Sequence, residues 1–168
     1  VKAGLLADPT FANGAYTAIP EAGIRAFARI WAGWGPSQAF YRHKLHQQLG
    51  QETAADHMQE FWEPNFLAFD ANDLLGMMHT WQVANIADND LYEGDFEAAC
   101  KAITAKTILM PCETDLYFPV ADNEIQASLM SNVELRPIPS EWGHIAGAPG
   151  LNPVDSAFID NAHRELLA

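Results

Sequence analysis

The sequence predicts an α/β fold in which a long run of helices stands apart from the strands. Three observations predict it. Thr107-Ile108-Leu109-Met110-Pro111-Cys112 is an apolar run of strand length, followed by the acidic turn Glu113-Thr114-Asp115. Pro119 to Met130 has helical spacing, and 133–139 is extended again before Glu141-Trp142-Gly143-His144. Residues 20–87, in contrast, carry successive helical patterns and no strand. If the two strands are parallel neighbours, Asp115 and His144 leave the same carboxyl-end edge of the sheet, where open α/β sheets place their chemistry. Adjacent strands lie about 4.8 Å apart, so the two side chains can meet. An Asp that orients a His is two-thirds of a nucleophilic triad.

Each element follows from local signals. Residues 1–8 are a short apolar helical lead-in, and Asp8-Pro9-Thr10-Phe11-Ala12-Asn13-Gly14-Ala15-Tyr16 is a loop of turn formers. Pro20 suits a first helical position. Ile24, Phe27, Ala28 and Trp31 follow on one face, and Gly33 and Gly35 end that helix. Pro36 starts the next, which carries Phe40, Tyr41 and Leu45 and stops at Gly50. Thr53 caps a third, with Ala54, Met58, Phe61 and Trp62 inward and Pro64 as its stop. Asp70 or Asn72 caps a fourth, with Leu74, Met77, Met78 and Trp81 inward. Asp88-Asn89-Asp90 marks a break. Beyond it Asp95 caps a helix with Phe96, Ala99, Cys100 and Ile103. The consecutive Ile108, Leu109 and Met110 predict a strand buried on both faces. The prolines of 133–139 predict an edge strand, because each removes a ladder donor. Asn152 caps the last helix, with Pro153 at its first position and Val154, Phe158, Ala162 and Leu166 as its inner stripe.

Composition narrows the function classes. Of 168 residues, 22 are acidic and 9 basic, a formal charge of −13, which disfavours nucleic acid and anionic membranes as partners. No apolar run reaches the length of a membrane span. Cys100 and Cys112 lack metal or redox spacing and read as reduced, buried thiols of a cytoplasmic protein. Val1-Lys2-Ala3-Gly4-Leu5-Leu6 has neither an initiator Met nor a signal-peptide layout, and reads as the middle of a longer polypeptide. Two strands do not make an α/β core. The inner strand needs a partner on its far side, so further strands are expected from elsewhere.

Four pieces, in order, carry a likeness. They are Asp8-Pro9-x-Phe11-x-x-Gly14-x-Tyr16, then Phe66-x-x-Phe69-Asp70-Ala71-Asn72, then Glu113-Thr114-Asp115-x-x-Phe118-Pro119, then Gly143-His144. With them the chain resembles the carboxyl-terminal half of an α/β-hydrolase-fold enzyme of the homoserine O-acetyltransferase type. The resemblance implies a lead-in from the core over 1–15, an inserted helical lid over 16–92, and the carboxyl-terminal part of the core over 93–168. It implies triad order Ser, Asp, His, with Asp115 as acid and His144 as base. It implies no bound cofactor and no metal, a small ester or thioester substrate, acyl-CoA as a candidate co-substrate, and a homodimer through the lid. Two departures stand out. The transferases usually carry an acidic residue after the histidine, whereas this chain reads His144-Ile145-Ala146-Gly147, which leaves a related hydrolase or another acceptor open. No G-x-S-x-G elbow occurs either, so the nucleophile is expected on a segment or chain outside these residues.

Other candidates weigh less. Trp142, beside His144, is the best candidate to line a substrate pocket. His43, His46 and His57 read as a solvated helix face rather than a metal site, and His79 as a satisfied core histidine. Ser140 is too near His144, on the wrong kind of turn, to be the nucleophile, and Cys112 reads as core. The expected chemistry is acyl transfer, acetyl foremost, to water or another hydroxyl. The rival reading is a non-catalytic module that dimerises through the helices.

Overall fold

Two short strands, β1 (Thr107–Leu109) and β2 (Val133–Leu135), pair in parallel in a computed structural model that describes residues 1–168. Thr107 lies opposite Val133, Ile108 opposite Glu134 and Leu109 opposite Leu135. The ladder runs on beyond the strands. Arg136 N donates to Leu109 O at 2.9 Å, Ile138 N to Pro111 O at 2.8 Å and Glu113 N to Ile138 O at 3.0 Å. Successive N–H groups of an extended chain point to opposite sides. Arg136 and Ile138 direct theirs at β1, so the donors missing at Pro137 and Pro139 belong to the side away from it, as an edge requires. Ile108, Leu109 and Met110 are only half-buried, not buried on both faces as their apolar run predicts.

Contacts divide the chain into two units, one of Val1–Trp34 with Lys44–Ala84, the other of Gly35–His43 with Asn85–Ala168. The second unit contains β1, β2 and four helices: α3 (Gln38–Arg42), α7 (Phe96–Lys101), α8 (Val120–Leu129) and α9 (Pro153–Leu167). Asp95 caps α7 by accepting from Ala98 N at 2.9 Å, and Asn152 caps α9 through Val154 N at 3.0 Å. On α9 the buried face runs through Asp155 and Ala162. Val154, expected inward, is 75% exposed, because Asp155 turns in to meet Ser140.

The first unit is helical: α1 (Lys2–Leu6), α2 (Glu21–Ala32), α4 (Ala54–Asp56), α5 (Glu63–Leu67) and α6 (Ala71–Val83), with 3-10 turns at Pro9–Gly14 and Leu45–Leu49. Leu5, Phe11, Ile24, Phe27, Ala71 and Leu74 form its core. Polar locks hold its loops. Asp8 accepts from Gly23 N and Thr10 N, each at 2.8 Å, and these N–H groups hold its carboxyl below the usual range. Tyr16 donates to Asp70, the cap of α6, and accepts from Ala71 N at 3.1 Å, while Asn72 Nδ2 reaches Gly14 O at 3.1 Å. Two of the four pieces behind the family likeness are thus explained as structural locks. Glu63 is buried between Arg25 and Arg29, at 2.5 and 2.6 Å. Burial pushes its carboxyl up, and the two guanidiniums outweigh that and leave it lowered.

Several helical expectations change. Residues 36–50 are not one helix. α3 ends at Arg42, and Lys44 at φ 55° starts a separate 3-10 turn. Pro64 does not stop the third helix. A π turn over His57–Trp62 joins α4 to α5, and Pro64 falls in the first turn of α5, where a missing N–H is tolerated. His46 and His57 are not solvated: both are buried. His57 Nε2 accepts from Trp62 Nε1 at 2.9 Å, and its Nδ1 donates to Gln51 Oε1 at 3.1 Å. His79 is exposed rather than in the core, as are Met77 and Trp81 on the same helix. No helix is long and apolar enough to cross a membrane.

Candidate active site

Asp115 follows β1 in a tight acidic turn. Its Oδ1 accepts from Tyr117 N at 2.7 Å and Phe118 N at 3.1 Å, which fixes the carboxylate plane. Its Oδ2 lies 3.0 Å from His144 Nδ1. The Asp115 side chain is 6% exposed and that of His144 is 38% exposed. Burial pushes the Asp115 carboxyl up. The His144 hydrogen bond and the Phe118 and Tyr117 N–H groups outweigh it, so the group stays lowered and ionised near neutrality. An ionised carboxylate accepts only, so Nδ1 carries the proton and Nε2 presents a lone pair. Nε2 makes no hydrogen bond. Tyr117 meets the imidazole edge-on at 4.9 Å between centroids, and Phe118 lies at 5.4 Å. A hollow of about 240 Å³ opens beside it, lined by Met110, Cys112, Asp115, Phe118, Asn123 and His144 among others.

The histidine loop is held by its backbone. Gly143 sits at φ +68°, in the left-handed region that favours glycine. A Cβ there would meet Ser37 N at 2.6 Å and Gly35 O at 2.7 Å. Gly143 N donates to Thr114 Oγ1 at 3.1 Å, and Thr114 Oγ1 donates in turn to Ser140 O at 2.8 Å. His144 N donates to Gly35 O at 2.8 Å. Of these partners, only the Gly-His pair and the acidic turn stand out in the sequence. Ser37 had a local signal, as a cap residue ahead of a short helix. Thr114 had none beyond its place beside Asp115.

The other candidates have structural partners. Ser140 Oγ donates to buried Asp155 at 2.8 Å and accepts from Trp142 N at 3.2 Å. Cys112 Sγ donates to Ser140 O at 3.2 Å inside the core. Trp142 is 4% exposed, with its ring edge-on to Phe40 at 5.3 Å. His43 pairs with Glu141 at 2.7 Å on the surface. No group of three or more His, Cys, Asp or Glu side chains is arranged to hold a metal ion. What the site offers is an imidazole oriented by a carboxylate through Nδ1, with Nε2 unbonded beside the hollow.

Comparison with known proteins adds relatives. No protein-family model matches the chain. It is 32% identical over 162 residues to a probable esterase of Corynebacterium glutamicum, covering 95% of this chain and 45% of that protein. It is 33% identical over 166 residues to the ethyl acetate hydrolase of Pseudomonas veronii, covering 96% and 46%. The chain therefore spans less than half the length of these relatives. Among solved structures, an acetylester hydrolase from Corynebacterium glutamicum superposes with a TM-score of 0.92 at 30% identity, over 98% of this chain and 47% of the other. A homoserine O-acetyltransferase from Bacillus anthracis superposes at 0.73 with 18% identity, over 98% and 45%, a likeness of fold alone.

Proposed function

From the premise that this chain belongs to the α/β-hydrolase-fold family, as the carboxyl-terminal part of that fold, we propose that it serves the hydrolysis of short-chain carboxylic esters, acetyl esters foremost. The observation that carries the reading is the buried Asp115 carboxylate on His144 Nδ1 at 3.0 Å, with Nε2 left open. Both residues follow neighbouring parallel strands, as the chain order acid then base of this fold requires. Water as acceptor, rather than homoserine, is supported by the esterase relatives and by Ile145, which stands where the transferases carry an acid.

In this mechanism a serine outside residues 1–168 attacks the ester carbonyl and passes its proton to Nε2 of His144. Asp115 fixes the tautomer and stabilises the imidazolium. The tetrahedral intermediate collapses, the alcohol leaves with the proton from Nε2, and an acyl-serine remains. Nε2 then takes a proton from water, whose oxygen attacks the acyl carbon. This second tetrahedral intermediate collapses by breaking the bond to the serine oxygen, which takes the proton back from Nε2 as the carboxylic acid leaves. Stabilising the tetrahedral oxyanion needs hydrogen-bond donors besides the His–Asp pair. Residues 16–92 act as a helical lid that shapes access, and a homodimer through those helices is part of the reading. Hydrolysis needs neither acyl-CoA nor a metal. The test is His144→Ala in the whole protein, assayed with ethyl acetate and 4-nitrophenyl acetate. A loss of kcat on the order of 10³-fold or more is expected. Activity within tenfold of the parent rules out His144 as the base.

A further inference from the structure

The segment that sequence places among the helices, Gly35–His43, belongs to the same unit as His144. Gly35, Pro36 and Ser37 are all buried, and their backbone lies on the Cα of Gly143, closely enough that no Cβ fits between. Four contacts join this segment to the histidine loop. His144 N donates to Gly35 O at 2.8 Å, Ser37 Oγ donates to Glu141 O at 2.5 Å, His43 pairs with Glu141 at 2.7 Å, and Phe40 meets Trp142 edge-on. From the other side Thr114 Oγ1 takes the N–H of Gly143 at 3.1 Å and gives its own proton to Ser140 O at 2.8 Å. Thr114 is also the residue immediately before Asp115, so one side chain ties the acid turn to the base loop.

We propose that Thr114 and Ser37 are positioning residues that clamp the Glu141–His144 loop from two sides and so hold the His144 ring on Asp115. The inference rests on the reading of His144 as the base. Neither hydroxyl touches the reacting atoms. Each uses both a donor and an acceptor function: Ser37 Oγ accepts from Phe40 N at 2.9 Å, capping α3, while donating to the loop. Losing Thr114 Oγ1 leaves the Gly143 N–H and the Ser140 C=O without that partner, in a loop whose glycine is already in a left-handed conformation. The loop then relaxes by up to about 1 Å, and misplacement on that scale costs up to about 10²-fold in rate, while the walls that Met110, Cys112, Phe118 and Asn123 give the hollow stay in place.

The experiment uses the whole protein with 4-nitrophenyl acetate and compares Thr114→Val, Thr114→Ser, Ser37→Ala and His144→Ala. Thr114→Val is close in shape and has no hydroxyl; Thr114→Ser restores the hydroxyl with less bulk. Expected is a fall in kcat of roughly 10- to 100-fold for Thr114→Val, with KM within about threefold, and recovery by Thr114→Ser to within about threefold of the parent. Ser37→Ala lowers kcat in the same way. Equal kcat in Thr114→Val and the parent, or Thr114→Ser as slow as Thr114→Val, overturns the inference. Where a variant does not fold, amide exchange of the parent protein decides. The Gly143 and His144 N–H groups, held by Thr114 Oγ1 and Gly35 O, are expected to be protected, and exchange at the rate of an open loop overturns the clamp. His144→Ala separates the two failures. If it stays active, the esterase reading fails; if it is dead while Thr114→Val is fully active, only the clamp fails.

Discussion

At the scale of single residues, the site depends on which nitrogen of His144 holds the proton. Asp115→Asn tests that directly. The Asn oxygen can still accept from the Tyr117 and Phe118 N–H groups, which turns its NH₂ toward Nδ1. Nδ1 must then accept, the proton moves to Nε2, and the base is lost with little change in shape. A fall in ester hydrolysis on the order of 10⁴-fold is expected, with a thermal midpoint close to that of the parent. A loss below tenfold rejects the tautomer role. Gly143→Ala probes the backbone instead. It puts a Cβ 2.6 Å from Ser37 N at a φ of +68°, so a cost of roughly 1–3 kcal/mol and a displaced His144 are expected, read as a lower melting temperature and a lower kcat together. The Asp115–His144 pair was legible in the sequence because two parallel strands carry their last side chains to one edge. The clamp was not, because Thr114 and Ser37 act through loop backbone, which has no periodicity. His57 and His79 were misread because spacing gives the faces of a helix but not which face is covered: His57 is buried against Trp62, and His79 is exposed on α6.

At the scale of elements, caps were the most legible feature. Thr53, Asp70, Asp95 and Asn152 all cap where their side chains predict, since the signal and its partner lie within three residues. The π turn over His57–Trp62 was hidden, because Pro64 reads as a stop when only α pitch is considered. That turn carries a pH dependence. Burial pushes His57 down to about 4, with a further push from His46. The unfolded side chain titrates near about 6.5. Between these values the unfolded chain binds a proton that the folded one refuses, so stability is fully present above pH 6.5 and falls as the pH drops toward 4. Charging His57 would also set a second N–H against the indole N–H of Trp62. The slope attributable to this group is about 1.4 kcal/mol per pH unit at its steepest. His57→Gln removes the titration. Melting curves from pH 7.5 to 4.5 are expected to fall less steeply for this variant than for the parent, after allowing for its own lower starting point. Parallel curves show that His57 does not contribute.

At the scale of the whole molecule, the strand–helix–strand order and the helical run were legible from period and length alone, and the structure and its esterase neighbours carry the same architecture. Strand length was overestimated, because the apolar run 107–112 and the proline-bearing run 133–139 continue their ladder past the strands proper. The last prediction concerns residues 1–168 as an isolated polypeptide. A two-stranded sheet is marginal in water, and Ile108, Leu109 and Met110 remain half-buried on β1 and its extension. An unpaired apolar strand edge invites association. The chemistry leads to the same expectation. An oriented His–Asp pair without a nucleophile acts only as a general base, worth about 10²–10⁴-fold. Covalent hydrolysis needs a serine at an elbow motif that these residues do not contain. Residues 1–168 produced alone are therefore expected to be poorly soluble, despite the charge of −13, and to give no burst of acyl-enzyme with 4-nitrophenyl acetate. Supplying the elbow-bearing segment, in one chain or as a second polypeptide, is expected to restore both solubility and the burst. A 168-residue product that melts cooperatively as a monomer and turns over esters would place the nucleophile within these residues and overturn the assignment of roles.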